Sequence, residues 1–455
     1  MGLMPAILRA CAVAITWVTL VSGADTRAGE TAAPNPATTD STTTAPIDLD
    51  ACIAQAVTAN PEVKAAFARW QAAVEQVPQA AALPDPSLIL ETVTQQESPE
   101  HRVGLRQELP PPGLLRAESG MAAREAAARR HQFEAEQFKA VYTVREAYYE
   151  CRYLDASIAF AREALELVTG LEQTLRDRYA ASAAAHPDVL RTQAEAGTIG
   201  NEVRTLEDMR PVLSARLRSA MGLAPDGPLL WPSAEIADPT APDERAVLDA
   251  IAQANPELKA ARERVYAADF GRRRARALSW PAFMLGVKGM RMEGGSDMGD
   301  NEYPVEVMLE MSIPLNMRKN GARRRQATAM AREADAMRTA EDYRLQTAAK
   351  DVLYRYRDAT RRVTLVQESL IPKQEEAVRA MRTAFAASNT PFVDLIEAHR
   401  TLLDLRRMQE RARTDRLEAL AELDMLLGRG LPPGAQPAPE PAAEAPHHTP
   451  AETTP

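Results

Sequence analysis

The sequence predicts a mainly α protein with a small β part: two tandem copies of a long coiled-coil helical hairpin, each accompanied by one β-hairpin. Three observations predict it. The first is periodicity. Val352, Tyr356, Ala359, Val363, Val366, Leu370, Lys373, Ala377, Ala380 and Ala384 alternate by four and three, with only Lys373 polar. That is the seven-residue period of a coiled coil. Leu395, Ala398, Leu402, Leu405, Gln409, Ala412, Arg416, Ala419, Leu423 and Leu426 repeat it, so two antiparallel helices meet at Ser388-Asn389-Thr390-Pro391. Begun near Asn320, the first helix would run roughly 100 Å at about 1.5 Å per residue. No single globular core is that deep, so this rod needs partners along its length.

The second observation is repetition. The series Val189, Thr192, Ala196, Ile199, Val203, Leu206, Arg210, Leu213, Leu217, Ala220 reproduces the Leu395 series at one constant offset, with Arg210 for Arg416. Ala147, Cys151, Leu154, Ile158, Ala161, Leu165, Val168, Glu172, Leu175 and Tyr179 reproduce the Val352 series, and Asn60-Pro61-Glu62 returns as Asn255-Pro256-Glu257. Matches at three places in the same order indicate a tandem duplication of about 200 residues per unit. The third observation is a change of period from heptad to alternation at 87–109 and again at 282–313.

Composition is consistent with rods. The 455-residue chain has only 5% aromatic residues and is rich in Ala, Glu, Arg and Leu, which favours long helices. Its net charge of −9, with both signs interspersed, leaves no basic stripe for nucleic acid. In chain order, residues 1–24 read as a signal peptide, with an apolar run from Ala10 to Val21 and a Ser22-Gly23-Ala24 exit; an uncleaved anchor is the alternative. Residues 25–46 are a Thr/Ala/Pro linker with nothing to bury. The first repeat occupies 47–222. Asn60 is its internal N-cap, Pro61 the first helical residue and Glu62 a charge at the positive end of the dipole. The helix stops at Leu83-Pro84-Asp85-Pro86.

Ser87–Gln95 is β-rich, and after a turn at Glu97-Ser98-Pro99-Glu100 the stretch His101–Leu109 alternates. Val103, Leu105 and Leu109 point one way; Arg102, Gly104, Arg106 and Glu108 point the other. In the second unit Ala282–Met292 and Tyr303–Ile313 flank a Gly-rich turn. Tyr303, Val305, Val307, Leu309, Met311 and Ile313 share one face, and Glu306, Met308, Glu310 and Ser312 the other. A membrane-spanning strand needs roughly 9–11 such residues, which the second hairpin meets comfortably and the first marginally. In lipid an open sheet edge is excluded and known barrels begin at about eight strands, so several copies of the chain must share one barrel. A half-buried strand of a soluble sheet would alternate as well.

Residues 223–243, with Pro225, Pro228, Pro232, Pro239 and Trp231, form a connector, either a structured belt or a plain linker. The second repeat is 244–428. Pro211 should kink its helix. Residues 429–455 are a Pro/Ala-rich tail expected to be disordered. Cys52 and Cys151 would lie at similar heights along their helices, either pairing in an oxidising compartment or packing as buried thiols. Met284, Met290, Met292, Met298, Met308, Met311 and Met317 crowd the second hairpin, as soft-metal ligands or as apolar filler. The histidines include no catalytic spacing, so no enzyme, cofactor or resident metal site is expected.

The order helix, β-hairpin, very long helix, returning helix, taken twice behind a signal peptide, resembles the TolC-type outer-membrane efflux protein family over about residues 47–428. Its local marks are both Asn-Pro-Glu starts, the strand ends Gln107-Glu108-Leu109-Pro110 and Met311-Ser312-Ile313-Pro314, and the tips Asp188-Val189-Leu190 and Asp394-Leu395-Ile396. The resemblance implies a homotrimer, with a twelve-stranded barrel in outer-membrane lipid above an α-barrel crossing the periplasm. It further implies the exit duct of a tripartite efflux system, whose periplasmic adaptor (membrane fusion) protein and inner-membrane pump, of the resistance-nodulation-division type, are separate chains. A duct for type I protein secretion and, in another class, a periplasmic structural or adaptor coiled coil are the alternatives.

The resemblance also places acidic residues at the aperture. Asp394 and Glu397 sit three apart and share a face; three copies would ring the opening with carboxylates that repel by about 0.7 kcal/mol per pair at roughly 6 Å in water. Ordinary solvated carboxylates at a helix N-terminus are the alternative. Asp188 has Arg191 beside it in place of a second acid, so an Asp188–Arg bridge to a neighbouring tip could latch closure. Ser182, Ser388, Asn389 and Pro391 mark the tips where an adaptor would dock; Ser182 and Ser388 stand where the family often has Gly. Phe385 stands where a phenol could lock the gate and cannot do so.

Overall fold

Long helices dominate the chain because its heptads are nearly unbroken. The computed structural model describes residues 45–95, 98–182, 185–232, 243–291, 305–387 and 392–432, all within the compact unit 43–455. The signal peptide, most of the linker, residues 233–242, the Gly-rich turn and the tail beyond 432 lie outside the described residues. A short strand β1 (Ala45–Ile47) leads into α1 (Leu49–Ala59) and α2 (Pro61–Ala81). Asn60 does more than cap. Its side chain accepts from Glu62 N at 2.8 Å and donates to Ala220 O at 3.1 Å. Asn255 repeats both bonds, to Leu258 N at 3.0 Å and Leu426 O at 2.9 Å. Each duplicated Asn therefore starts one helix and satisfies the open carbonyl end of another. Beside them Gly222 and Gly428 adopt φ of 73° and 63°, the left-handed C-terminal cap that Gly occupies without strain. A Cβ on Gly222 would lie 2.6 Å from Asn60 Cα.

The strands β2 (Ser87–Gln95) and β3 (Ser98–Leu109) follow, then α3 (Leu114–Ala180) and α4 (His186–Ala220), which passes through Pro211 as one element. β4 (Leu230–Pro232) pairs with β1 in parallel, and buried Trp231 joins the core that holds Cys52, Tyr148, Cys151 and Leu217. The described part of the connector is thus structured. The second unit repeats the plan: α5 (Glu244–Ala254), α6 (Pro256–Ala277), β5 (Ala282–Arg291), β6 (Val305–Ser312), α7 (Met317–Leu365), a π-helical turn (Val366–Leu370), α8 (Ile371–Ala386) and α9 (Phe392–Leu427). Near the sheet, α3 packs between α2 and α6, with α7 beyond α6; near the turns, α3 packs between α4 and α9, with α7 and α8 beyond α9.

The heptad seam holds on α4, α9, α3 as far as Leu175 (Tyr179 is 48% exposed) and the upper part of α7: Val352, Tyr356, Ala359, Val363 and Val366 are all buried. Beyond Val366 it departs from the expected Leu370, Lys373, Ala377, Ala380 and Ala384. Val378 is buried instead, with Ile371 and Met381 against it, Gln374 Nε2 donating to Ala398 O at 2.8 Å, and Phe385 packed near Leu175. The inward series is displaced by one residue. The cause is the π turn, in which Ile371 N donates to Val366 O, five residues back. That turn absorbs one extra residue. It ends two residues before Pro372, which has no N–H to give and whose ring opposes a regular helix behind it.

The two hairpins form one antiparallel sheet in the order β2-β3-β5-β6. Leu88 faces Leu105, Leu105 faces Val287, and Val287 faces Val307 across the ladders, so these side chains share a face. That face is apolar and open to the surroundings: Leu90 is 71%, Val307 68% and Leu309 69% exposed. The opposite face carries Glu91, whose carboxylate accepts from Lys288 Nζ at 2.9 Å, together with Arg102, Arg106, Glu306 and Glu310. The sidedness is the one the alternation predicts. Lengths differ from expectation: β2 has 9 and β3 12 residues, against 10 in β5 and 8 in β6. Ser98–Glu100, expected in the turn, pair within β3; Tyr303 lies outside the described residues. Met284 and Met308 lie on the charged face and Met311 on the apolar one, while Met292 and Met298 fall outside the described residues.

Candidate functional site

The helical layer is curved, and its concave side is a trough. A cavity of about 1400 Å³ runs along it, lined by Arg69 and Gln76 of α2, Glu125 of α3, Arg264 of α6, and Met330 and Glu333 of α7. A second cavity of about 990 Å³ continues to the foot of the sheet, with Asp85, Glu108 and Lys319 in its wall. Glu118 and Arg323 line both. Glu108 and Ser312 belong to the charged face of the sheet, so that face opens onto the trough. With the charged face on the trough side, the apolar face lies on the convex side. Within the trough, Arg274 pairs with Glu118 at 2.7 Å, and Arg344 with Glu257 and Glu341. An open trough in which paired opposite charges alternate with alanine and methionine suits a passage for solutes better than a snug, enclosed pocket.

At the far end of the helices, Asp394 opens α9 and Glu397 lies one turn on. Both are exposed, while Leu395 between them and Ala398 just after them are buried. Their carboxylates make no ion pair or hydrogen bond among the described residues. Asp188, half-buried in the first turn of α4, and exposed Arg191 make no bridge among the described residues. Ser182 ends the helix before it at φ 58°, the one non-glycine residue in the left-handed region among the described residues. A Gly there would sit without strain. Ser388, Asn389 and Pro391 lie outside the described residues. Phe385 is capped by the Arg178 guanidinium at 4.3 Å from its ring centroid, a cation–π contact that joins the two repeats in place of a phenolic hydrogen bond.

A set of cross-repeat ion pairs escapes the heptad reading. Arg400 reaches Glu195 at 3.1 Å, Arg407 reaches Glu202 at 2.5 Å, Arg406 reaches Glu163 at 3.0 Å and Arg411 reaches Glu150 at 2.7 Å. Arg400 and Arg407, like Glu195 and Glu202, are seven apart, so their signal was the charge pattern flanking the seam. The exposed pairs, Arg400–Glu195 and Arg406–Glu163, contribute about 0–1 kcal/mol each; the other two are part-buried.

Glu418 of α9 is different. Arg411 divides its guanidinium among Glu150 and Asp415, both at 2.7 Å, and Glu418 at 3.4 Å. Glu418 is served least, and its Oε1 is buried without a hydrogen-bond partner. Desolvation, against the pull of Arg411 and with the push of Glu150, Asp415 and Glu146, raises its pKa from 4.5 to about 7. The folded chain therefore binds more protons than the unfolded chain between those values, and stability falls as pH rises through that window. Glu418→Gln should flatten this slope and stabilise the protein at pH 8 by about 1–3 kcal/mol, read as thermal midpoints at pH 5 and pH 8. An unchanged pH slope would exclude Glu418 as its source.

Cys52 and Cys151 are both buried and both free. Burial pushes their thiols up to about 11 and about 12 respectively, which keeps them unreactive. No described helix is long and apolar enough to cross a membrane.

A search of curated proteins returned no match by sequence. By structure the chain is similar to the outer-membrane channel OprN, at 19% identity over 90% of this chain and 99% of that one, TM-score 0.71. It is similar to the outer membrane protein VceC of Vibrio cholerae, at 19% identity over 84% of this chain and 97% of that one, TM-score 0.72. The open-state outer membrane channel MtrE of Neisseria gonorrhoeae matches at 18% identity over 86% and 91%, TM-score 0.71. At these identities the likeness is one of fold. The outer membrane efflux protein family model matches residues 52–223 and 247–429, both repeats and most of the sequence, and the chain therefore belongs to that family.

Proposed function

We propose that three copies of this chain close into a duct that carries solutes from the periplasm to the exterior. The observation that supports it most is the sheet. Its outer face is exposed and apolar, its inner face is charged, and its two edge strands, β2 and β6, have no further partner among the described residues. A four-stranded sheet of that kind is stable in lipid only when its edges are joined to others. Three copies, joined β6 to β2, complete a barrel of twelve strands, within the range that closed barrels adopt. In the helical layer the same operation sets α7 of one copy against α2 and α4 of the next, turning each trough into a third of one lumen. The mixed charge of the trough keeps that lumen wet.

In this reading the protein stands in the outer membrane with its helices in the periplasm and conducts passively. Asp394 and Glu397 ring the closable end, and Asp188 and Arg191 face a neighbouring tip. The helix turns at Ser182, Ser388, Asn389 and Pro391 receive a periplasmic adaptor, which links the duct to an inner-membrane pump of the resistance-nodulation-division type. The left-handed backbone at Ser182 supports a turn shaped for contact.

The reading is tested in planar bilayers. The purified protein is expected to form discrete conductances that favour cations, and Asp394→Asn with Glu397→Gln should lower the cation preference by several-fold, since six carboxylates are removed from a narrow ring. Selectivity that does not move would retire these residues as the aperture; absence of any conductance would retire the duct.

A further inference from the structure

Just below the sheet, the second repeat carries an uncompensated basic surface. The helix α7 begins with Met317, Arg318 and Lys319, and no acidic residue follows before Glu333. Cations at a helix N-terminus stand against the dipole, which favours anions there. On α6, Arg276 lies in the last turn. Arg276, Arg318 and Arg325 are exposed and make no ion pair or side-chain hydrogen bond among the described residues.

Their side of the molecule follows from helical phase. Arg274 of α6, and Arg323 and Ala327 of α7, line the trough. Arg276 and Arg325 are two residues from these, roughly 200° around the helix, and Arg318 is five residues from Arg323, roughly 140° away. All three therefore project from the convex side, the side that continues the apolar face of the sheet. Met317, 79% exposed, sits between that face and Arg318. The three arginines fall within about 10 Å of helix rise below the strands, close to one Debye length. At this level the first repeat offers a single arginine on that side, Arg116, since Glu118 and Asp85 line the trough.

We propose that Arg276, Arg318 and Arg325 seat the headgroups of anionic phospholipids in the leaflet nearest the helices. The proposal rests on the reading of the sheet as a membrane barrel. An apolar band that passes within one residue into unpaired guanidinium groups matches a lipid whose acyl chains lie against the sheet and whose phosphate lies at the helix ends. Guanidinium suits that phosphate, since it can donate two parallel bonds to it. The anion also answers the opposed dipole of α7. In a closed assembly the seat recurs once per copy, under the second hairpin alone, so lipid selectivity alternates around the barrel.

The test uses the full-length protein reconstituted into bilayers of phosphatidylcholine with a minor fraction of phosphatidylglycerol. The relative association of spin-labelled phosphatidylglycerol over phosphatidylcholine is measured by electron paramagnetic resonance, with channel conductance recorded on the same preparation. The wild-type chain should prefer phosphatidylglycerol, more weakly in high salt. Each Arg→Gln substitution at 276, 318 or 325 should lower that preference, by up to about five-fold. Arg332→Gln, on the same convex stripe but roughly 20 Å below Arg318, should leave it unchanged. Conductance with no lipid preference, or a preference unaltered in the triple variant, would overturn the lipid seat and leave the duct standing. A chain that does not enter the bilayer and conducts nothing would remove the duct, and the lipid seat with it.

Discussion

Leu105→Arg together with Val307→Arg should abolish membrane insertion while the helical rods stay folded. Both side chains lie on the exposed apolar face, linked through Val287 across the β3–β5 and β5–β6 ladders. An arginine on the lipid face costs about 2–4 kcal/mol near the bilayer midplane. Two per chain, repeated in every copy, exceed what snorkelling recovers. Far-ultraviolet circular dichroism should be little changed, because the sheet is a small part of the chain, whereas flotation with lipid vesicles should be lost. The control is Glu310→Arg on the opposite face, where water and charge are already present; it should insert normally. Insertion of the double variant would show that this face does not meet lipid.

The second large effect concerns the π turn. Deleting Glu368 while replacing Pro372 by Ala should convert the turn to regular α-helix and keep Ile371, Gln374, Val378, Met381 and Phe385 on the seam. Counted from Val366 without Glu368, those residues recur by four and three. Stability should change by no more than about 1 kcal/mol, because the extra residue is lost where it was accommodated. The alanine is needed because a proline inside a regular helix costs about 3 kcal/mol. Deleting Glu166 from α3, which has no such turn, should instead rotate Val168 and Leu175 off the seam. Each buried apolar group withdrawn costs about 2–5 kcal/mol, so that variant should melt far lower or fail to assemble. Equal tolerance of both deletions would mean that the π turn does not set the register.

Much of this was legible in the sequence, for a physical reason. Heptads and strand alternation are properties of a single element, and a duplication shows each of them twice. Leu402, Leu423, Ile158 and Val203 are buried where the period puts them, and Val103 and Leu309 are exposed on the face that alternation assigns. What stayed hidden depends on backbone hydrogen bonds or on contacts between elements. The π turn leaves no mark in the period except the Pro372 that follows it. Asn60 read as a cap, but its second bond, to Ala220 O, required the end of a helix far along the chain. The Arg178–Phe385 contact and the crowding at Glu418 join residues of different repeats, and no spacing within one helix announces them. At the proposed aperture, Asp394 and Glu397 were legible as neighbours on one face, while the proposed ring depends on copies that a single chain does not contain.

The most direct measurement is the mass and shape of the protein extracted in detergent. Light scattering with the detergent mass subtracted should give three chains per particle. Electron micrographs should show a hollow cylinder roughly 130 Å long, the rise of α3 with a barrel about 30 Å tall above it. A monodisperse monomer, soluble without detergent and with the apolar sheet face packed against its own helices, would contradict the duct outright.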